Sequence, residues 1–147
     1  LAHISDEQAD QLSNVIVEEN DVLFNITGVS VTRCCIVPAD VLPARVNQHV
    51  MILRPKTAMP MSYYIMTTLC SAENKGKLMG IAQSGSTREA INKQEMESFS
   101  IPVPPTKEVQ DFEIKARGLY ESVIRNTEEI MRLNVMQQLL LSQLSSR

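Results

Sequence analysis

The sequence contains no run of about 18 apolar residues, which is the length that a membrane-spanning helix needs. Its longest apolar clusters, such as Val50–Leu53, have only the length of a β-strand. Hydrophobic residues make up 44% of the chain and charged residues 21%, as is typical of a soluble globular protein. We therefore expect a protein without a membrane partner.

Cysteine and histidine are also scarce, with three and two residues respectively. Cys34 and Cys35 are adjacent and the cysteine count is odd, so we expect no disulfide framework and a reducing, cytoplasmic setting. Because no Cys-x-x-Cys or His-x-x-x-His spacing occurs, we predict no metal site. His3 and His49 have no companion motif for a nucleophile–base pair, so we predict no catalytic residues and no cofactor.

Basic residues are absent from the first 21 residues, which carry six acidic side chains. Residues 22–105 hold eight basic and five acidic residues, and residues 106–147 hold six of each, so the net charge is −3. This balance excludes a uniformly basic nucleic-acid binder, although the positive middle segment is compatible with phosphate contact. A solvated surface of mixed charge explains the same distribution.

Short apolar runs separated by Gly, Pro, Asn and Asp occupy the first part of the chain and predict strands of a compact mixed sheet. Pro60 opens a helical stretch that Asn74-Lys75-Gly76 is predicted to end. Ser86 and Glu89 form a capping-box pattern, which indicates a short helical turn. The predicted strands are Val15–Val17, Val22–Ile26, Arg33–Val37, Arg45–Arg54 and Phe99–Ile101.

A heptad seam follows the double proline Pro104-Pro105, with Thr106 as the predicted helix cap. Apolar residues alternate at spacings of three and four if Asn126 and Gln137 fill two polar gaps. A helix of about 40 residues is about 60 Å long, and so narrow an apolar stripe must pack against another helix. The seam consists of Val109, Phe112, Ala116, Leu119, Val123, Asn126, Ile130, Leu133, Gln137, Leu140 and Leu144.

The pattern therefore divides the chain into a domain of residues 1–105 and a helix of residues 106–147. The helix carries acid–base pairs at a spacing of four residues, such as Glu113 with Arg117, which favour an exposed helix. We predict an α+β fold, in which a small mixed-sheet domain precedes a long C-terminal coiled-coil helix.

One glycine-containing segment suggests an enzyme. Residues 80–87 read GIAQSGST, one residue away from the phosphate-binding pattern G-x-x-x-x-G-K-[ST]. Ser86 stands where the lysine is needed, and without that cation the phosphates lose their main partner. A nucleotide hydrolase that uses Gly80–Thr87 is thus a competing hypothesis that needs a cation from elsewhere.

Polar side chains suited to DNA contact are concentrated in two glycine-containing turns. Asn and Arg can read adenine and guanine edges through paired hydrogen bonds, and hydroxyl groups at turns can contact phosphate. Solvated turns are normally rich in the same residues, so this observation alone leaves both interpretations open. The candidates are Asn25, Thr27, Ser84, Ser86, Thr87, Arg88, Asn92 and Lys93.

Several short motifs follow one another in an order that is more specific than any one of them. They are Asp21–Gly28 (DVLFNITG), Arg33, Cys35–Pro38 (CIVP), Val46–Gln48 (VNQ), Leu53–Pro55 (LRP), Gly85–Arg88 (GSTR), Ile91-Asn92 and Ile101–Pro105 (IPVPP), with Gln110 in the helix beyond. Over about residues 15–147 the chain resembles the specificity subunit of type I restriction-modification enzymes, specifically the later part of one target recognition domain and its spacer helix.

The chain departs from the family pattern at a few positions. The family usually has Gly where Asn20 and Thr32 stand here, and its proline-rich segment usually leads to Glu-Gln rather than to Glu108-Val109-Gln110. Its domain also opens with a further stretch, including a Gly-Thr-Pro turn, that is not found in this sequence. We therefore expect the recognition domain to be incomplete on its N-terminal side.

The resemblance implies a non-catalytic subunit that recognises double-stranded DNA through two domains separated by antiparallel paired helices. The helices set the spacing between half-sites and bind modification (methyltransferase) subunits, which hold S-adenosylmethionine and flip the target base. The seam is then expected to pair with a second copy or with the other half of a full-length subunit. A two-fold homodimer with antiparallel helices is the simplest closed arrangement, and Asn126 and Gln137 would specify its register.

We therefore predict a sequence-specific DNA recognition subunit of a type I restriction-modification complex, with Arg33 joining the DNA-contacting candidates. The main alternative is a structural coiled-coil dimerisation module that does not bind DNA. That alternative explains the helix equally well but predicts no DNA affinity at any salt concentration.

Overall fold

The computed structural model describes residues 3–84 and 89–145. Within these residues the fold is α+β, as predicted, with short strands and a long C-terminal helix. The helices are α1 (Asp6–Gln11), α2 (Ser62–Leu69), α3 (Ala72–Ser84), α4 (Lys93–Ser98) and α5 (Thr106–Ser145). The strands are β1 (Ile16–Val17), β2 (Val22–Asn25), β3 (Cys34–Ile36), β4 (Ala44–Arg45) and β5 (Val50–Leu53).

The strands form two antiparallel sheets instead of the predicted mixed sheet. One sheet pairs β1 with β4, and the other has the order β3-β2-β5. In the central strand Val22 lies opposite Ile36 on one side and Leu53 on the other. Among the described residues no α-helix lies between paired strands, and such a crossover helix is what a parallel pair usually requires.

The single strand predicted for Arg45–Arg54 is wrong, because the segment is divided between the two sheets. Ala44 and Arg45 pair with β1, whereas residues 50–53 pair with β2. Asn47 forms the turn between them, since its side chain accepts from the His49 amide and its carbonyl accepts from the Val50 amide. Asn commonly supplies such local side-chain bonds to turns, and here they interrupt the apparent alternation.

The helix end predicted at Asn74-Lys75-Gly76 is also wrong. The first helix of this stretch, α2, ends earlier, at Leu69. Cys70 and Ser71 separate it from α3, and residues 74–76 lie within α3. The Asn74 side chain donates to the carbonyl of Thr68 near the end of α2, and the Asn74 amide donates to the Ser71 hydroxyl. Asn74 therefore stabilises the junction between two helices and does not end one.

The core lies between the three-stranded sheet and helices α2 to α4. Phe24 and Leu69 are 0% and 2% exposed, and they pack with residues of α3 and α4. Phe99 and Ile101, which were predicted to form a strand, are not in a described strand and pack against this core from an extended segment. The core cluster is Phe24, Val31, Leu69, Leu78, Ala82, Ile91 and Met96.

A bidentate ion pair joins the turn after β1 to the end of β5. Arg54 Nε and Nη2 each lie 2.7 Å from an oxygen of the Asp21 carboxylate, and Asp21 is 1% exposed. Arg54 Nη1 lies 2.6 Å from a Glu18 carboxylate oxygen, and the Glu18 amide donates to Asp21. Because a buried charge needs such partners, the Asp21 and Arg54 motifs have a structural role in the domain.

Helix α5 begins at Thr106 and is 40 residues long. The Val109 amide donates to the Pro105 carbonyl, so Thr106 is the first helical residue and the prediction that it caps the helix is wrong. Its first turns pack against α2, where the Tyr63 and Tyr120 rings lie 5.1 Å apart and the Tyr64 and Phe112 rings 6.0 Å apart. Beyond this contact its apolar side chains remain exposed. In the part of the chain that the structure describes, no helix has the length and apolar character needed to cross a membrane.

Candidate nucleic-acid interface

The turn that follows β2 lies beside the segment 89–91 in the folded domain. Thr27 and Ala90 form an isolated antiparallel bridge. On either side of it the Gly28 amide donates to the Glu89 carbonyl at 2.9 Å, and the Ile91 amide donates to the Ile26 carbonyl at 2.8 Å. These backbone bonds place the end of β2 beside the segment that follows residues 85–88.

Three polar residues lie at this meeting point. The Asn25 side chain accepts from the Thr27 amide at 3.3 Å, and the Thr27 hydroxyl lies 2.7 Å from His49 Nδ1. The His49 carbonyl accepts from the Ile26 amide. His49 falls within the strand predicted for Arg45–Arg54, but it lies in the turn before β5 and is exposed.

The loop between β2 and β3 extends this surface. Arg33 is exposed, and its carbonyl accepts from the Asn25 amide at 2.9 Å, so its backbone lies directly beside that residue. Val29 is 100% exposed at the tip of the loop. Val29 was not among the predicted contacts, because a single Val in a turn carries no distinguishing pattern. We call Asn25, Thr27, Val29, Arg33 and His49 the turn surface.

The remaining candidates lie around the second turn. Ser84 ends α3 and its hydroxyl donates to the Ile81 carbonyl. Asn92 caps α4, since its side chain accepts from the Glu95 amide at 2.9 Å. Lys93 is exposed and lies 3.6 Å from Glu97. The predicted contacts Ser86, Thr87 and Arg88 lie outside the described residues, as does the capping turn predicted at Ser86.

The structure divides the predicted helix seam into two parts. Val109 and Ala116 are 1% and 7% exposed against the chain's own domain, and Phe112 is half-buried there. These three side chains are therefore not available to a second helix. The apolar seam residues beyond them remain 56–71% exposed: Leu119, Val123, Ile130, Leu133, Leu140 and Leu144.

Glu113 connects α5 to α2 in a way that the sequence pattern did not suggest. It is 5% exposed, and its carboxylate accepts from the Tyr64 amide at 2.7 Å, near the start of α2. No side chain of α2 itself caps that end, so Glu113 supplies the missing acceptor at a positive helix end. Burial raises the pKa of Glu113, and the hydrogen bonds from α2 and the charge of Arg117 partly oppose this.

A groove of about 450 Å³ lies between β3, α2 and the middle of α5. Its lining includes Cys34, Cys35 and Cys70, as well as Tyr63, Tyr120 and Ile124. Burial raises the pKa of the Cys34 thiol far above its ordinary value, and the neighbouring Cys70 raises it further. A thiol held in its protonated form is a poor nucleophile.

A family model described as type I restriction modification DNA specificity domain matches residues 3–117, which is most of the chain. The chain belongs to this family. Its role is that of a DNA specificity subunit in a type I restriction-modification system, so DNA and the other subunits of such a system are its partners in general terms. No curated protein matches the chain.

The family is a DNA-recognition module and is generally non-catalytic. In this specificity domain Gly80–Ser84 lies within α3, whereas a phosphate-binding loop needs irregular backbone with free amides before a helix. The nucleotide-hydrolase hypothesis therefore gains no support, and Gly85–Thr87 lie outside the described residues. Among the residues that are described, no three His, Cys, Asp or Glu side chains are placed to hold a metal ion.

The family match ends at residue 117, three turns into α5. It thus includes the part of α5 that packs on the specificity domain, and it stops where the exposed seam begins. This boundary agrees with the burial pattern, which changes from the buried Ala116 to Leu119 at 71% exposed.

Proposed function

We propose that this specificity domain contacts double-stranded DNA through the turn surface together with the other predicted contacts, Ser84, Ser86, Thr87, Arg88, Asn92 and Lys93. The observation that carries the proposal is the backbone bridge between Thr27 and Ala90. The bridge places Thr27 beside Ala90, about sixty residues further along the chain, and so brings the turn after β2 close to the segment that leads to Asn92 and Lys93.

The side chains of this surface suit both contact with the phosphate backbone and contact with base edges. Arg33 carries an exposed guanidinium for phosphate or for a guanine edge. The fully exposed Val29 offers a branched apolar side chain of the kind that contacts a thymine methyl group. His49 is held against Thr27, so its ring is oriented before DNA binds.

Arg33→Ala tests the proposed surface. We expect weaker binding to a duplex of random sequence, and a salt dependence of the affinity reduced by about one counterion, since one phosphate contact is lost. Fluorescence anisotropy over a series of salt concentrations measures both quantities. The full chain is used throughout.

Arg132→Ala is the matched control, because Arg132 is an exposed arginine on the distal part of α5. It removes the same charge and should leave the affinity and the salt slope unchanged. Equal losses in the two variants would indicate a general charge effect and would contradict a localised DNA surface. No binding by the unchanged protein at any salt would support the alternative of a coiled-coil module.

The exposed part of α5 has a separate proposed role as the spacer that sets the distance between two recognition domains. Modification subunits would bind along the paired helices. The domain then comprises residues up to 105 together with the buried first turns of α5, and the spacer begins near Leu119. The support is the exposed seam, since a surface helix with so many uncovered apolar side chains requires a partner.

A further inference from the structure

The turn between β4 and β5 lies at the same end of the three-stranded sheet as the turn surface. Strand β2 ends at Asn25, and the antiparallel strand β5 begins opposite it at Val50. The loop that follows β2 and the turn that precedes β5 therefore emerge side by side. The turn comprises residues 46–49, of which the turn surface includes only His49.

The backbone of this turn is held on both sides of Gln48. The Asn47 side chain accepts from the His49 amide at 3.0 Å, and the Asn47 carbonyl accepts from the Val50 amide at 3.1 Å. The Ile26 amide donates to the His49 carbonyl at 2.9 Å, which ties the turn to the end of β2. The backbone at Gln48 is thus fixed by the fold, and a preorganised group binds at a smaller cost in entropy.

The residue that follows Gln48 is also held through its side chain. His49 Nδ1 lies 2.7 Å from the Thr27 hydroxyl, and within the described residues its Nε2 forms no hydrogen bond. Gln48 and His49 are both exposed. The turn therefore presents two neighbouring polar side chains on a backbone that the sheet keeps in place.

The asparagines near the proposed DNA surface are poorly suited to reading adenine. A carboxamide reads that base through two hydrogen bonds, in which its nitrogen donates to N7 and its oxygen accepts from N6. Both groups of one side chain must face the base together, whereas each of these asparagines has its oxygen turned toward a backbone amide. The asparagines are Asn25, Asn47 and Asn92, whose oxygens accept from the amides of Thr27, His49 and Glu95.

Gln48 meets this requirement. It is exposed, and within the described residues its side chain forms no hydrogen bond, so its oxygen and its nitrogen are both free. We propose that Gln48 reads an adenine edge in the major groove, with Nε2 donating to N7 and Oε1 accepting from N6. This inference rests on the proposed function of the turn surface, and it names both the residue and the base.

Gln48 and Arg33 then have different parts in DNA binding. Arg33 is exposed and charged, and its contact with phosphate contributes to affinity for any sequence. Gln48 is neutral, so its contact releases no counterion and contributes to the preference among sequences. The two residues can therefore be distinguished by measurement.

Selection from a library of duplexes with a randomised central segment tests the proposal in the full chain. We expect the unchanged protein to prefer adenine at one position that depends on Gln48. Gln48→Ala should lower this preference at least about fivefold and leave the other selected positions as they are. Gln48→Glu should change the preferred base there from adenine to cytosine, because a carboxylate accepts from cytosine N4 and cannot donate to adenine N7.

Gln138→Ala is the matched control, since it removes the same side chain from an exposed position on the distal part of α5. It should leave the preference at every position unchanged. Fluorescence anisotropy with a duplex of random sequence should give Gln48→Ala an affinity within about twofold of the unchanged protein and the same salt dependence. Circular dichroism verifies that the variants remain folded.

A change of preference confined to one position supports the reading of adenine by Gln48. If both Gln48 variants select the same sequences as the unchanged protein, the inference is wrong and the proposed DNA surface remains. An equal loss of preference at every position would show that Gln48 supports the turn, which also contradicts base reading. If the unchanged protein selects no sequence, the proposed function fails and this inference fails with it.

Discussion

Thr32 combines a left-handed backbone conformation with a buried hydroxyl that has no partner among the described residues. Its φ is +70°, a left-handed conformation that is strained for a β-branched side chain. It is also 1% exposed, and its hydroxyl has no hydrogen-bond partner among the described residues. The family pattern has Gly at this position, and Gly adopts such a positive φ without strain.

Thr32→Gly should raise the free energy of unfolding by about 1 kcal/mol. Two effects stabilise the variant, because glycine removes the left-handed strain and the unpartnered hydroxyl. Two smaller effects oppose them, namely the loss of a buried methyl group and the higher entropy of the unfolded chain. Urea denaturation at neutral pH measures the difference. A loss of stability would show that packing of the Thr32 methyl outweighs the strain.

Asn20 provides the control for that prediction. Its φ is +66°, and the resembled family has Gly at this position too, but Asn tolerates the left-handed region far better than Thr. Asn20→Gly should therefore change the stability by less than about 0.5 kcal/mol. The two positions where the family pattern has Gly, Asn20 and Thr32, thus lie where the backbone has a positive φ, which the sequence alone does not show.

At the scale of secondary-structure elements, the contact between α5 and α2 depends on Glu113. Its raised pKa means that the folded state binds the proton more tightly than the unfolded state does. The stabilisation from this group is therefore fully present below the ordinary carboxyl pKa, and it is lost as the pH rises through the higher folded value. Deprotonation leaves a charge that is only partly compensated by α2 and Arg117.

Glu113→Gln keeps an oxygen acceptor for the Tyr64 amide and removes the buried charge. The variant should gain stability relative to the unchanged protein as the pH rises from 4 to 7. Glu113→Ala leaves the start of α2 without its acceptor and should lose about 1–2 kcal/mol, like the removal of a helix cap. Urea denaturation at several pH values tests both predictions. If the stability of the Glu113→Gln variant and that of the unchanged protein change with pH in parallel, the raised pKa of Glu113 is contradicted.

The elements differ in how far the sequence predicts them. Heptad spacing after the double proline predicts α5 correctly, because a long periodic helix is encoded locally. The spacing of Glu113 and Arg117 suggested an exposed ion pair. The burial of Glu113 was missed because the sequence does not show that the start of α2 lacks a side-chain cap of its own. The division between β4 and β5 was missed because the hydrogen bonds of Asn47 outweigh the alternation of the flanking residues.

The same distinction applies to the candidate site. Residue types in the turns suggested DNA contact, but their proximity depends on the bridge between Thr27 and Ala90, which joins segments distant in sequence. His49 and Val29 acquire their positions from that long-range arrangement. Such contacts follow from tertiary packing and are therefore beyond what local patterns encode.

At the scale of the whole molecule, the expected antiparallel pair of α5 helices, with Asn126 of each copy opposite Gln137 of the other, would fix a distance between two recognition domains. With a rise of 1.5 Å per residue, the Ala116 positions of two copies would lie about 46 Å apart along the helix pair. B-DNA advances 3.4 Å per base pair, so this distance corresponds to about 14 base pairs. A dimer would consequently need a duplex longer than a single domain covers before both copies can bind.

Leu133→Glu tests this bivalent binding. The charge would face Ile130 of the second copy and should give a monomer with an intact domain. Because the effective concentration of a second domain is then lost, affinity for a duplex of about 30 base pairs should fall at least about 100-fold. Affinity for a duplex of about 12 base pairs, which engages one domain, should stay within about twofold.

Gln138→Glu is the matched control, since it adds the same charge at an exposed position away from the seam. It should leave the dimer and both DNA affinities unchanged.

Sedimentation and fluorescence anisotropy with the two duplexes measure these effects in the full chain. An equal loss with both duplexes would show that Leu133 supports the domain, and unchanged affinity for the longer duplex in a monomeric variant would contradict the spacer role of α5. Only a loss confined to the longer duplex follows from two domains held apart by a paired helix.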